Sequence, residues 1–215
     1  KARAESPYAG YKAVLNLDKK SFSILDNCGG IPRDTAEKYA FRLGRPSYMP
    51  REKLPTVGVY GIGMKRAMFK IGRSSKVTTV HNGNAFQAAI SSAWMESDDD
   101  WDLPIKDLPA RQIPDELKSV KGTLIEIGSL LPGVAQEFDH QASKFLDVLK
   151  ATIATHYSYI IHKGFSIKVG TTDIKPRELA ILVASSKAKD RIEPFVYHAT
   201  KDGVTVDLVI GLYRN

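Results

Sequence analysis

Two glycine-rich segments constrain this chain more than any other feature of its sequence. The first, SILDNCGGIP at residues 23–32, is an apolar run that ends on Asp26 and passes directly into paired glycines. The second, GVYGIGMKRA at residues 58–67, leads into apolar residues that recur at helical spacing. Glycines at such junctions let a ligand approach the bare backbone, where free N–H groups and a helix N-terminus favour an anion. The two segments therefore predict a site for a phosphate-bearing ligand.

The residues around the first segment have the pattern of a hairpin followed by a helix. Residues 11–26 contain two runs of β-forming side chains joined by a charged turn, which predicts an antiparallel pair that carries Asp26 to the end of a sheet. Asp34, with Glu37 three residues later, predicts a capped helix that ends at Gly44.

Periodicity predicts the other elements of a first domain. The second segment should open a helix from Gly63 to Gly72. Three further elements are predicted: a hairpin of strands 75–81 and 84–94 that turns at Asn82-Gly83, a strand at 121–127, and one or two helices within 136–162. Residues 164–215 differ, with a predicted small hairpin, a short helix and two strands at 193–199 and 204–213. We therefore predict two domains, residues 1–163 and 164–215.

Composition and charge narrow the classes of protein that the chain can belong to. No apolar run approaches the ~18 residues of a membrane span, and no signal peptide is recognisable, so we expect a cytoplasmic protein with no membrane partner. A single cysteine, Cys28, excludes an internal disulfide, and no metal-ligand spacing is present in this chain. Residues 1–90 hold 16 Lys and Arg against 6 Asp and Glu, whereas the remainder holds 15 against 18. The basic half can serve a polyphosphate ligand or nucleic acid.

The spacing of the glycines excludes two familiar phosphate loops. The P-loop requires adjacent Gly and Lys, but Met64 separates Gly63 from Lys65. A dinucleotide fingerprint that starts at Gly61 would need a small residue where Arg66 stands. Each motif alone also fits a simpler interpretation, either a turn or a loop at the start of a helix.

Three motifs in fixed order fit another pattern. They are Asp-x-Cys-Gly-Gly at residues 26–30, Gly-x-x-Gly-x-Gly at residues 58–63, and Gly122-Thr123 at the start of a later strand. With these motifs the chain resembles the GHKL superfamily of gyrase B, heat-shock chaperone, histidine kinase and MutL ATPases, and most closely its MORC-like and bacterial heat-shock-chaperone-like members. Cys28 stands where that family usually has its first glycine.

The resemblance implies a fold and a cofactor. The fold is the α+β Bergerat type, a two-layer α/β sandwich with a mixed, mostly antiparallel sheet covered by helices on one face, followed by the start of a transducer-like domain. ATP or ADP with magnesium is the implied cofactor. Asp26 would accept a hydrogen bond from the adenine amine, Thr123 would support it, and the purine would lie on Gly30. Residues 45–57 would form a lid over the nucleotide. The other implied contacts, near the base or around the phosphates, are Ile31, Gly58, Val59, Tyr60, Gly61, Ile62, Gly63, Met64 and Lys65.

The resemblance also implies an ATP-driven conformational switch. The intact protein would hydrolyse ATP, with a second copy as partner through nucleotide-dependent closure and DNA or a protein as client. The family's general-base Glu and its magnesium-binding Asn match nothing before Tyr11, so we expect both upstream of Lys1 and no catalytic residue or metal ligand in this chain. Two alternatives stay open: a nucleic-acid-binding module that uses the basic half, and a histidine-kinase-like ATP domain.

Overall fold

The computed structural model describes residues 6–41, 62–97, 103–141, 143–177 and 193–212. The chain divides into two compact units, Lys1–Pro176 and Arg177–Asn215. The first unit contains the large sheet, the first glycine-rich segment and the described part of the second. The predicted site therefore belongs to this unit.

The first unit is built on an eight-stranded sheet with the order β5-β4-β3-β6-β2-β1-β7-β8. Neighbouring strands are antiparallel except for the parallel pair of β1 and β7. The strands are β1 (Lys12–Leu17), β2 (Phe22–Asp26), β3 (Gly72–His81), β4 (Asn84–Ile90), β5 (Ile105–Asp107), β6 (Gly122–Leu130), β7 (Ser166–Val169) and β8 (Thr172–Asp173). A mixed, mostly antiparallel sheet combined with helices confirms the predicted fold class.

Helices occupy the connections between these strands. They are α1 (Arg33–Thr35), a π-helix (Ala36–Ala40), α2 (Gly63–Ile71), α3 (Ser92–Glu96), α4 (Pro132–Glu137), α5 (Phe145–His156) and α6 (Ser158–His162), with 3-10 turns at Ala110–Gln112 and Asp115–Leu117. The helix predicted from Gly63 to Gly72 is confirmed, because α2 ends at Ile71 and Gly72 is its C-cap.

Alternation along the strands separates the two faces of the sheet. Val77 packs with Met68 of α2 and with Ile127, so side chains of this parity face the helices. Val80 and Leu124, of opposite parity, pack with Leu117 from the segment between β5 and β6. Helices therefore cover one face, and the excursion before β6 covers part of the other.

Two local predictions are wrong. Asp34 does not cap a helix, because α1 begins at Arg33 with Pro32 as its N-cap and no side-chain cap bond. Glu37, the expected partner in the cap, instead accepts a hydrogen bond from Arg33 Nε at 2.6 Å and forms an ion pair with it. The second strand of the 75–94 hairpin stops at Ile90, because the Ser91 hydroxyl accepts the Trp94 N–H at 3.1 Å and caps α3.

The first unit includes residues 164–176, and the division into domains at 163/164 stays a prediction. Strand β7 pairs in parallel with β1, with Ala13 opposite Ile167, and β8 extends the sheet beyond it. Burial of Ile167 and Val169 in the same core as Leu17 ties this hairpin to the first unit. In the second unit, β9 (Phe195–Lys201) and β10 (Val204–Ile210) form an antiparallel hairpin; β10 lies within the predicted strand at 204–213, and β9 extends two residues beyond the predicted strand at 193–199.

The loop after β2 comes close to β3 at Gly30. Gly30 has φ +72°, and a Cβ at this position would lie 2.1 Å from the Val80 carbonyl oxygen. Gly29 also has a positive φ, +105°, but a Cβ there meets nothing within 4 Å. The two adjacent glycines therefore share a positive φ and differ most in the space beside them.

This difference makes a matched pair of variants. Gly30→Ala is expected to lower the free energy of unfolding by about 2–4 kcal/mol, because it adds a backbone clash to the strain of a positive φ. Gly29→Ala should cost about 1–2 kcal/mol, from strain alone. Urea unfolding of both variants measures the difference, and equal losses would show that the Val80 contact is not what requires glycine.

Candidate functional site

Three polar side chains lie side by side at one end of the sheet. Asp26 is the last residue of β2 and pairs with Thr123 of β6, which pairs with Thr79 of β3. Their parity places them on the face that α2 covers, above Val77 and Ile127. Thr79 is fully buried and Thr123 is 7 % exposed. The hydrophobic layer thus ends in a row of one carboxylate and two hydroxyls.

Burial at this position raises the pKa of the Asp26 carboxyl above its ordinary value. Backbone N–H groups of Cys28 and Thr123 hydrogen-bond to the carboxylate and oppose that shift, the former at 2.8 Å to Oδ1. Desolvation outweighs them. Asp26 is therefore a half-buried acceptor held in place by two backbone donors and without a cation among its partners in the described residues.

The loop that follows Asp26 is fixed at both ends. The Asn27 side chain accepts the Lys12 N–H at 2.6 Å and donates to the Gly10 carbonyl at 2.8 Å, which ties the loop to the start of β1. Gly29 N–H donates to Lys121 O at 3.0 Å, and Ile31 N–H donates to the Thr79 hydroxyl at 2.8 Å. The loop therefore reaches across the start of β6 to β3.

A series of side-chain hydrogen bonds that begins at the end of β3 holds the same loop. His81 Nδ1 lies 2.8 Å from Gly29 O, and Asn82 Nδ2 lies 3.0 Å from His81 Nε2. Because the amide donates to Nε2, we assign the proton to Nδ1, which then donates to the carbonyl. Lys121 Nζ completes the chain with a 2.9 Å bond to Asn82 Oδ1.

Thr79, His81 and Lys121 were not found by sequence reasoning. For Thr79 a signal existed. It lies two residues after Val77 in a predicted strand, so its hydroxyl is expected on the same, buried face of the sheet. For His81 and Lys121 no comparable signal existed, because their contacts depend on the turn at Asn82, whose φ is +48°.

Gly122 has a structural reason that the sequence motif did not reveal. A Cβ on Gly122 would lie 2.0 Å from the Asp26 carbonyl oxygen. The Gly-Thr pair therefore does two things: glycine permits the close pairing of β6 with the end of β2, and Thr123 brings its hydroxyl into the polar row.

The described part of the second glycine-rich segment is the start of α2. Ile62 is its N-cap, without a side-chain cap bond, and Gly63 has open space around its Cβ position. The first intrahelical bond runs from Arg66 N to Ile62 O at 2.9 Å, so the N–H groups of Gly63, Met64 and Lys65 precede it. Gly58, Val59, Tyr60, Gly61 and the predicted lid, residues 45–57, lie outside the described residues.

Lys65 does not extend into solvent. Its side chain is buried, and Nζ donates to the Ala40 carbonyl at the end of the π-helix at 2.7 Å. Desolvation lowers the pKa of this amine. Met64 packs against the core of Met68 and Val77, as does Ile31 from the loop after β2, so both glycine-rich segments contact one hydrophobic cluster.

A groove of about 510 Å³ lies at the opposite end of the same strands. It is lined by residues 21–23, 74–76, 89–91 and 126–128. Because Asp26, Gly30 and Thr123 are absent from its walls, it is separate from the polar row.

Comparison with protein families agrees with the geometry. Residues 9–123, more than half of the chain, match the family of histidine kinase-, DNA gyrase B-, and HSP90-like ATPases. The chain belongs to this family. The match covers the whole polar row and both glycine-rich segments, and it identifies an ATP-binding ATPase module of the GHKL type. A search of curated proteins finds no match to the chain.

The described residues set limits on metal and membrane binding. No group of three or more His, Cys, Asp or Glu side chains among them could hold a metal ion. Among the helices described for this ATPase module, none is long and apolar enough to cross a membrane.

The raised pKa of Asp26 predicts how its charge affects stability. Asp26→Asn should leave the free energy of unfolding at neutral pH unchanged or raise it, because the folded protein holds the ionised form at a cost. The folded state binds a proton at Asp26 more tightly than the unfolded chain does. The wild type therefore gains stability relative to the variant as the pH falls through the folded pKa, and it loses that gain as the pH rises.

Urea unfolding across acidic to neutral pH measures this difference. Asp34→Asn, which removes the same charge from an exposed position, is the control for the change of net charge. A wild type that became more stable than Asp26→Asn as the pH rose would contradict the assigned direction.

Proposed function

We propose that this chain binds ATP at Asp26 and Thr123 of the polar row and at the start of α2. The bound nucleotide drives a conformational switch in the intact protein. The observation that carries the proposal is the placement of a half-buried carboxylate beside buried hydroxyls, at the point where bare glycine backbone follows the strand. Family membership supplies the ligand class.

Adenine recognition follows from the acceptors in the row. An exocyclic amine donates hydrogen bonds, and Asp26 is an acceptor that two backbone N–H groups already orient. Guanine carries a carbonyl oxygen at the equivalent place, which would face the carboxylate without a proton between them. Gly29 adds no side chain to the open space beside the loop, which supports a flat base lying against the backbone.

Phosphate binding is proposed at the N-terminus of α2. The N–H groups of Gly63, Met64 and Lys65, for which no acceptor lies among the described residues, belong to the first turn of a nine-residue helix, a favourable arrangement for an anion. Residues 58–61 would complete the contact. Arg66 is exposed in the same turn, whereas Lys65 could offer its charge only after leaving the Ala40 carbonyl.

The remaining parts of the proposed mechanism come from the family resemblance. Residues 45–57 would close over the nucleotide, and a second copy or a neighbouring domain would respond to closure. Slow hydrolysis would use the family's general-base Glu and its magnesium-binding Asn. The MORC-like or chaperone-like assignment, a DNA or protein client and a cytoplasmic location belong to the same proposal.

Calorimetric titration of the chain with ADP tests the binding site. Wild-type protein should bind ADP, and Asp26→Asn should weaken binding about 10- to 100-fold, because a charged acceptor of the base amine is lost. Asp34→Asn, with the same change of net charge, should bind as the wild type does. Absence of ADP binding by the folded wild type, or equal affinities for wild type and Asp26→Asn, would show that this is not the nucleotide site.

A further inference from the structure

We propose that Thr79 determines base specificity at this site by fixing the direction of the Thr123 hydroxyl. The inference rests on the proposed function and assigns a role to a residue that lies outside the glycine-rich motifs. Thr79 would touch no ligand atom, so it is a positioning residue that acts through Thr123.

The hydrogen bonds of Thr79 are defined by three partners. Its Oγ1 accepts the Ile31 N–H at 2.8 Å, lies 3.1 Å from the Gly122 carbonyl oxygen and lies 3.3 Å from Thr123 Oγ1. The side chain is fully buried, and the described residues contain no buried side-chain nitrogen or oxygen without a partner. Water is therefore not needed to satisfy this hydroxyl.

Counting protons gives the direction of each bond. A threonine hydroxyl has one proton and two lone pairs. The Ile31 N–H occupies one lone pair of Thr79, and the Gly122 carbonyl, which can only accept, takes the proton. The second lone pair of Thr79 is then available to the Thr123 proton. We therefore assign Thr123 as the donor to Thr79.

This direction decides what Thr123 offers to a ligand. With its proton committed to Thr79, Thr123 presents only lone pairs, and its register partner Asp26 also presents only acceptor oxygens when ionised. The two neighbours together fit a base edge that donates, such as the amine of adenine. A base with a carbonyl at that place would meet two acceptors and find no donor from either of them.

Thr79 also connects base selection to the shape of the loop. The same oxygen that orients Thr123 holds the Ile31 N–H, while the adjacent Gly30 lies against the Val80 carbonyl. One buried oxygen therefore contributes both to the seating of the loop and to the orientation of Thr123.

The test compares ADP with IDP, in which the amine is replaced by a carbonyl, on the full chain. Wild type should prefer ADP. Thr79→Val removes the hydroxyl at nearly constant volume and frees the Thr123 proton, so the ADP-to-IDP affinity ratio should fall about 10-fold, the effect of about one hydrogen bond. Thr79→Ser keeps the hydroxyl and should keep the ratio within about 3-fold. In a Thr123→Val background, Thr79→Val should leave the ratio unchanged.

The ratio separates positioning from a structural effect. A general loss of folding or of loop order would weaken ADP and IDP by the same factor, and that result in a folded Thr79→Val protein would overturn the inference. Circular dichroism checks folding; should the valine variant not fold, Thr79→Cys, with a weakly bonding thiol, replaces it under the same criterion. A wild type without preference for ADP over IDP would also overturn it.

Failure of this inference is distinguishable from failure of the proposed function. If the wild type binds neither nucleotide, the proposed site itself is wrong. If the wild type binds ADP and Asp26→Asn weakens it, but Thr79→Val leaves the ratio intact, only the role of Thr79 is rejected.

Discussion

The hydrogen bond from the Ile31 N–H to the buried Thr79 hydroxyl is the interaction on which the site depends. Because β6 lies between β2 and β3 in the sheet, the loop that leaves β2 must cross the start of β6 to reach β3. Two close approaches make that crossing feasible: Gly122 lets β6 pair tightly with the end of β2, and Gly30 lies against the Val80 carbonyl. The glycines of two separate motifs thus serve one backbone crossing.

Desolvation of the polar row lowers the stability of the fold, and the same desolvation would make the proposed site selective. Met68, Val77 and Ile127 form a dry layer directly below it, so the carboxylate of Asp26 is partly desolvated and its pKa is raised. A carboxylate in water would be satisfied by solvent and would distinguish poorly between ligands. Beside this layer, an unmatched acceptor is costly, and that cost is the physical basis of selectivity for a donor.

Sequence reasoning recovered those parts of the fold that depend on local pattern. Asp26 at a strand end, the helix from Gly63 and the turn at Asn82 all follow from periodicity and turn chemistry. It failed where a tertiary contact decided the outcome: Arg33 rather than Asp34 organises the start of α1, through ion pairs with Glu37 and Asp107. Strand β7 joins the sheet through a parallel pair with β1, a long-range contact that the local sequence pattern does not predict.

The candidate site has two parts, the polar row with its loop and the start of α2, and they differ in how far they are already formed. The base half is preorganised, since the loop, Thr79 and Thr123 are held by hydrogen bonds within the sheet. The charge of Lys65 is not presented in this arrangement, because its amine is buried against the Ala40 carbonyl and its pKa is lowered there. Bringing that charge to a phosphate would break the link between α2 and the π-helix, whereas the backbone N–H groups at the start of α2 need no such change. The proposed base and phosphate contacts would therefore differ in kind: the base would meet a structure already formed, whereas recruitment of Lys65 to a phosphate would be coupled to movement of the π-helix.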